Sequence, residues 1–293
     1  MISRRGFLAS SLVLPAAASA SPGPRLLAQA YVFTQEFSRR KISLADGIDE
    51  MFATVHDAGF RGMELMSQFF AADVRERTIA SAKKHSVAVP ITYSGGAMHT
   101  TEGAAKAIPS IVALAEAAAA AGTIAINHNP DPIGRAKTDD ELTLQAANLN
   151  RLGEALKKSG KELFVHHHNP EMAGGAREWR HILTHTDPAL VSLCIDTHWI
   201  FRGDQEVMPI VREAGRRIKS IHLRNSVGKV WSESLGEGDI DYRPLSAYLK
   251  QEQLTPFLVV ELAYESGTPH TRPLGENLRL GREYAERVFG VRA

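Results

Sequence analysis

At 293 residues and 44% hydrophobic composition the chain is long enough to bury one large core, and single α/β barrels commonly reach this size. Lys and Arg total 34 against 33 Asp and Glu, a formal net charge of +1, and nothing in that balance suggests a polyanion partner, whose binding needs a clustered cationic surface. The single cysteine, Cys194, excludes an internal disulfide and any thiolate cluster; within VSLCID it reads as a small buried residue.

The first feature in chain order is an address. Arg4 and Arg5 precede the apolar run FLASSLVLPAAASA, which is too short to span a bilayer and ends in ASA, a small-x-small cleavage pattern at Ala18 to Ala20. Paired arginines ahead of such a run resemble a twin-arginine export signal over residues 1–20. The expected location is therefore the periplasm, with one barrel domain over 25–293 and no membrane contact once the signal is removed.

Beyond residue 25, short apolar runs alternate with longer stretches of helical periodicity. Strands are predicted over 29–34, 62–66 (GMELM), 87–94 (VAVPITYS), 123–129 (TIAINHN), 162–168 (ELFVHHH), 191–197 (VSLCIDT), 218–224 (IKSIHLR) and 257–263 (FLVVELA). One predicted helix starts at Ser43 as N-cap and stops at Gly59 as C-cap. Another starts at Thr138 or Asp139, carries acids in its first turn and lysines in its last, and stops at Gly160. The last is GENLRLGREYAERVFG. Eight βα units with mostly apolar strands imply a closed (β/α)₈ TIM barrel in a single domain. The alternative is an open doubly wound sheet, but AYVFTQEFSRR after the first strand has no glycine and so no phosphate loop.

In such barrels chemistry sits at the C-terminal ends of the strands. Those ends offer Glu64, the triplet Asn127-His128-Asn129, the triplet His166-His167-His168 followed by Glu171, then Asp196, His198, His222, Arg224 and Glu261. Asp196 and Glu261 both follow strongly apolar runs, and an unpaired charge in an apolar wall is costly, so each demands a partner. Glu171 or His168, Asp196, His222 and Glu261 lie on four adjacent strands and would converge above the barrel. A divalent cation bound by carboxylate oxygen and imidazole nitrogen accounts for that set.

Taken together, GMEL, VHHHNPE, CIDTHW, SIHLRNS, SLGEGDIDY and LVVELAYE resemble the xylose isomerase-like barrel superfamily over nearly the whole chain after residue 25. That group includes sugar-phosphate isomerases/epimerases, inosose dehydratase and AP endonucleases. The resemblance implies one divalent metal ion (Mn, Mg, Co or Zn, with Mn favoured) on Asp196, His222 and Glu261. The stretch VHHHNPEM is similar to a subgroup signature whose glutamate matches Glu171, so Glu171 is the expected fourth ligand, with His168 as the alternative.

The resemblance further implies a metal-dependent isomerase or epimerase acting on a small sugar or keto-sugar. It would take a proton α to a polarised carbonyl by way of an enediolate, with Glu261 and His166 or His168 as the groups moving protons. The histidines equally suit a lyase or dehydratase acting on a 3-keto-glycoside or an inosose. A remote alternative is an exported, non-catalytic carbohydrate-binding protein. An endonuclease would need more ligands from the early strands, and no nucleic-acid partner is expected. Candidate substrate contacts are Glu64, His128, His198, Trp199 and Arg224, with Trp231 and Glu237 on the long loop after the seventh strand. A homo-oligomer is left open.

Overall fold

The structure, a computed structural model, describes residues 25–293; the export signal expected over 1–20 lies outside them. Strands β1 (Leu26–Gln29), β2 (Gly62–Met66), β3 (Ala88–Gly96), β4 (Ala125–Pro130), β5 (Glu162–Val165), β6 (Val191–Asp196) and β7 (Ile218–Leu223) run parallel around a cylinder. A two-stranded hairpin follows, β8 (Ser226–Val227) and β9 (Val230–Trp231), and then β10 (Phe257–Val260), which closes the ring between β7 and β1. The result is the expected closed barrel of eight parallel strands. Helices between successive strands cover its outside, so each strand is buried on both faces.

The first strand lies earlier than expected, and the residues predicted to form it are largely a helix, Tyr31–Arg40. Leu26, Leu27 and Ala28 are fully buried and pair with Leu258, Val259 and Val260. After Ala30 the buried positions are Val32, Phe33 and Phe37, a helical spacing rather than an alternating one. The other seven strands fall where predicted, within a few residues at their ends, and β5 stops at Val165, so the three histidines lie beyond it. Helix starts follow the capping chemistry. Ser43 Oγ accepts from Asp46 N at 3.2 Å, and Thr138 and Glu141 form a reciprocal capping box. Among the described residues no helix is long and apolar enough to cross a membrane.

Side-chain alternation sets the height of the site. Leu27, Ile91, Ala125, Phe164, Cys194, Phe257 and Val259 form an apolar plug inside the cylinder. Two residues further along the same strands come Gln29, Tyr93, Asn127, His166, Asp196 and Glu261, which therefore face the same interior one layer higher. His222 joins that layer because it pairs in register with Asp196 on one side and Val259 on the other. A polar floor thus rests directly on a dry plug.

Candidate active site

Four side chains meet in that layer: His166, Asp196, His222 and Glu261 each present one ligand atom, all within 4.8 Å of one another. His222 Nδ1 lies 2.9 Å from Glu261 Oε2 and 3.9 Å from Asp196 Oδ2, and His166 Nε2 lies 3.5 Å from Asp196 Oδ2. Asp196 Oδ1 is satisfied by the amides of His198 and Trp199, both at 2.9 Å, because the chain turns into the short helix Thr197–Arg202 there. Asp196 Oδ2 and His166 Nε2 are buried and have no hydrogen-bond partner. Buried polar atoms are rarely left so, and two nitrogens with two carboxylate oxygens form a donor set that a Mn, Co or Zn ion accepts. The residues present therefore fit a divalent metal ion.

A layer of supports fixes each member of the set. Asn129 Oδ1 lies 3.0 Å from His166 Nδ1, so that nitrogen carries the proton and Nε2 turns a lone pair to the centre. Behind His222, Nε2 lies 3.1 Å from Glu64 Oε1 and 3.3 Å from the Asn127 amide, which aims Nδ1 inward. Asn127 also reaches Glu64 Oε2 at 3.2 Å and Cys194 Sγ at 3.4 Å. Glu261 Oε1 takes the Arg224 Nη2 donor at 2.6 Å. Burial alone would raise the Glu261 carboxyl, but Arg224 and His222 beside it hold it far below the usual carboxylate range. Burial also pushes His166 and His167 well below the ordinary imidazole range, so both are neutral and can act as acceptors or ligands. His222 moves the other way: burial opposes the shift, and Cys194, Glu64 and Glu261 around it outweigh burial.

The mouth above this floor is aromatic. His168, half-buried, sits edge-on to His166 at 4.8 Å and to Trp199 at 5.3 Å. Tyr93 is edge-on to His166 at 5.5 Å from the far side. Burial, with Glu261 adding to it, raises the Tyr93 phenol well above its usual value, so it stays protonated. Trp199 and Trp231 meet at 5.9 Å. Arg224 is 2% exposed; its Nη1 is buried without a partner beside Trp231, whose ring centroid lies 4.2 Å from the guanidinium.

The structure does not bring all of the expected site residues to the centre. Glu171 is not in the four-membered set; the helix beginning at Asn169 turns its Oε2 back onto the free amide of His168 at 2.7 Å, and His166 occupies the fourth position. Glu64 lies fully buried under His222. His128 has the opposite strand parity to Asn127 and Asn129, bonds Ser94 Oγ at 3.1 Å, and is driven down to about 3 by burial on the outer face. His198 has both ring nitrogens committed, Nδ1 to the Trp231 indole N–H at 3.2 Å and Nε2 to Ser226 Oγ at 3.0 Å. Trp231 has Arg224 and Arg202 against its ring, at 4.2 and 5.0 Å, so it braces Arg224. Glu237 is exposed on the outer side, where its charge acts on Arg243 and Tyr284. His168, Trp199 and Arg224 remain at the mouth. Asn127, Asn129 and Tyr93 were missed as individual residues; counting alternate positions from Ala125 and Ile91 in the plug finds all three.

A closed parallel barrel with two imidazoles and two carboxylates gathered at the C-terminal ends of its strands is a TIM-barrel protein with a candidate metal centre. Residues 52–284 match the family model described as xylose isomerase-like TIM barrel, and the chain belongs to that family. Inosose dehydratase of Salmonella typhimurium is 30% identical over 146 residues, covering 42% of this chain and 47% of that protein. Inosose dehydratase of Clostridium botulinum is 28% identical over 172 residues, covering 52% and 56%. The chain thus matches about half the length of these curated relatives. In fold it is similar to a sugar phosphate isomerase/epimerase from Parabacteroides distasonis, with a TM-score of 0.72, 17% identity and coverage of 94% and 98%. It is likewise similar to 3-keto-D-glucoside 4-epimerase from E. coli, with a TM-score of 0.68, 16% identity and coverage of 90% and 99%.

Proposed function

We propose that the chain is a divalent-metal-dependent carbohydrate enzyme that removes the proton α to the carbonyl of a small keto-sugar or keto-polyol. The observation that carries this reading is the pair of buried, unpartnered atoms, Asp196 Oδ2 and His166 Nε2, facing His222 and Glu261 beneath a half-open histidine. A divalent cation bound there would polarise a substrate carbonyl and acidify the neighbouring C–H. His168 is the group at the mouth suited to accept that proton, being an imidazole with no protein commitment to its ring beyond edge contacts.

Of the two outcomes of such a step, elimination is favoured over epimerisation. An epimerase returns a proton to the opposite face and needs a second base there. Glu261, the candidate, has Oε2 on His222 and Oε1 on Arg224, and its affinity for a proton is strongly reduced. A lyase or dehydratase needs one base and one proton donor. His168 takes the α proton, the freed electron pair forms the double bond, the β C–O bond breaks, and the protonated Tyr93 phenol gives its proton to the departing oxygen. The relatedness to proteins named inosose dehydratase supports the same choice. Isomerase or epimerase action remains the second reading and requires Glu261 to be released from Arg224. Arg224 Nη1 is the donor available to a substrate hydroxyl or carboxylate. Export by the twin-arginine route, supported by Arg4 and Arg5, would put this chemistry in the periplasm.

The test is solvent exchange. Purified protein supplied with Mn²⁺ is incubated in D₂O with 3-keto-glycosides and inososes and followed by proton NMR. Loss of the α-proton signal with release of water or an aglycone is expected. Interconversion of ketoses without release would establish the epimerase instead, and absence of α exchange on every keto substrate would refute the common step.

A further inference from the structure

Two segments on the catalytic end of the barrel enclose a trough that the candidate centre does not use. Residues 131–138 follow β4, and the helix Asn169–His185 follows the three histidines, so both continue from the strands that bring Asn129 and His166 to the centre. The trough between them holds about 390 Å³, and its apolar wall is Pro132, Ile133, Ala136, Pro170 and Ala173. Ile133 is half-buried and the other four are exposed. Next to Ala173 the helix is interrupted, because Gly174, Gly175 and Ala176 take left-handed conformations with φ of 58°, 73° and 59°. Such a conformation costs free energy at an alanine, and outliers of this kind gather where a ligand is held. The charged groups in the lining are all paired. Arg135 is clamped by Glu141 at 2.7 and 2.8 Å, Lys137 Nζ lies 2.6 Å from Glu178 Oε1, and Arg177 is held by Asp139 and the Lys137 carbonyl. With each charge neutralised, the trough suits a neutral apolar group and offers no free cation to a phosphate or carboxylate. Pro170 stands two residues from His168, and Asn169 between them is exposed, so a ligand held at the mouth can continue over that turn into the trough.

We propose that this trough holds the leaving group of a glycosidic substrate, so that the chain acts on a 3-keto-glycoside with a neutral, largely apolar aglycone in preference to a free inosose. The inference rests on the α-proton chemistry proposed above and adds to it the place of the departing group. In such a substrate the C2 proton goes to His168, and its electron pair forms the C1–C2 double bond. The C1–O bond breaks, and the aglycone oxygen leaves with that pair and takes the Tyr93 proton. The aglycone is thus joined one carbon from the atom that His168 deprotonates, at the mouth that the trough borders. A free inosose loses only water, which would leave the trough unfilled. The volume of about 390 Å³ lies within the roughly 300–1,000 Å³ of ligand pockets and has room for one six-membered ring.

The test compares the methyl and cyclohexylmethyl 3-keto-glucosides, whose leaving alcohols are similarly acidic, on the Mn²⁺-supplied full chain and on Ile133→Asp and Ala136→Asp. The wild type is expected to favour the cyclohexylmethyl substrate in kcat/KM by at least about tenfold, since each fully buried methylene is worth about fourfold. In both variants that ratio is expected to fall to near one, and a ratio is unaffected by any general loss of active protein. Equal kcat/KM for the two substrates in the wild type, or a preference that survives both substitutions, overturns the assignment. If neither substrate exchanges its α proton, the proposed chemistry fails and the trough is judged by binding alone. Calorimetry with cyclohexylmethyl glucoside is then expected to show binding to the wild type at least about tenfold tighter than to either variant. No binding, or equal affinity in all three proteins, overturns the trough as a subsite.

Discussion

Replacing Asn129 tests whether the candidate centre is organised from behind. Its Oδ1 accepts the His166 Nδ1 proton at 3.0 Å in a fully buried contact. In Asn129→Leu the shape is nearly kept, but the buried N–H loses its acceptor, a penalty of about 1–3 kcal/mol. The ring is then free to flip its tautomer or rotate, taking the Nε2 lone pair off the centre. Loss of such a partner behind a metal-bound histidine typically weakens metal binding by about 10–100-fold, which is about 1.4–2.7 kcal/mol and agrees with the hydrogen-bond figure. Asn129→Asp restores an acceptor and is expected to recover most of the affinity. The assay is a calorimetric Mn²⁺ or Zn²⁺ titration of the three proteins, with thermal unfolding of the metal-free chains measured alongside. If the leucine variant loses stability but binds metal with an unchanged Kd, or if the aspartate variant is as weak as leucine, His166 is not oriented in this way.

Further outcomes follow from other contacts. Burial raises the Glu171 carboxyl from 4.5 to about 7, so the folded chain holds its proton more tightly than the unfolded chain. Its contribution is fullest below about pH 4.5 and is lost as pH rises to about 7, a change of about 3 kcal/mol. Glu171→Gln is expected to flatten that dependence and raise the denaturant midpoint at pH 8 relative to pH 5. His168→Asn is expected to abolish α exchange with metal content unchanged, read by NMR and elemental analysis. Tyr93→Phe is expected to retain exchange while elimination slows at least tenfold, which separates proton removal from departure of the leaving group. In Gly153→Ala a new Cβ would clash with the Leu190 carbonyl oxygen, and a clash against backbone is expected to lower stability by about 1–3 kcal/mol in thermal unfolding.

The barrel was legible because its strands are apolar runs bounded by helical stretches, and that pattern survives without knowledge of register. The first strand was misplaced because Tyr31, Val32 and Phe33 have strong strand propensity, whereas burial at Val32, Phe33 and Phe37 follows a helix. Asp196 and Glu261 stand out because a charge after an apolar run is expensive, and His222 by its place at the end of the seventh strand. The place of Glu171 is not legible locally, because helix capping competes with ligation for a carboxylate near a helix start, and only the backbone shows its Oε2 turned to the His168 amide. His128 drew attention over its two asparagine neighbours on residue type alone, although strand parity sends it outward. The backing of His222 by Glu64 spans 158 residues, and no local pattern encodes a contact made only when a ring of strands closes.

That last contact governs when the four-membered set is complete. All four donor residues belong to the second half of the chain, yet the imidazole at 222 is aimed by a carboxylate from the second strand and an amide from the fourth. A full-length chain whose second and fourth strands are not yet docked owns every donor residue and still leaves the imidazole at 222 unaimed. Alignment of the four donors therefore waits for the whole circle to close, although every one of them comes from its second half.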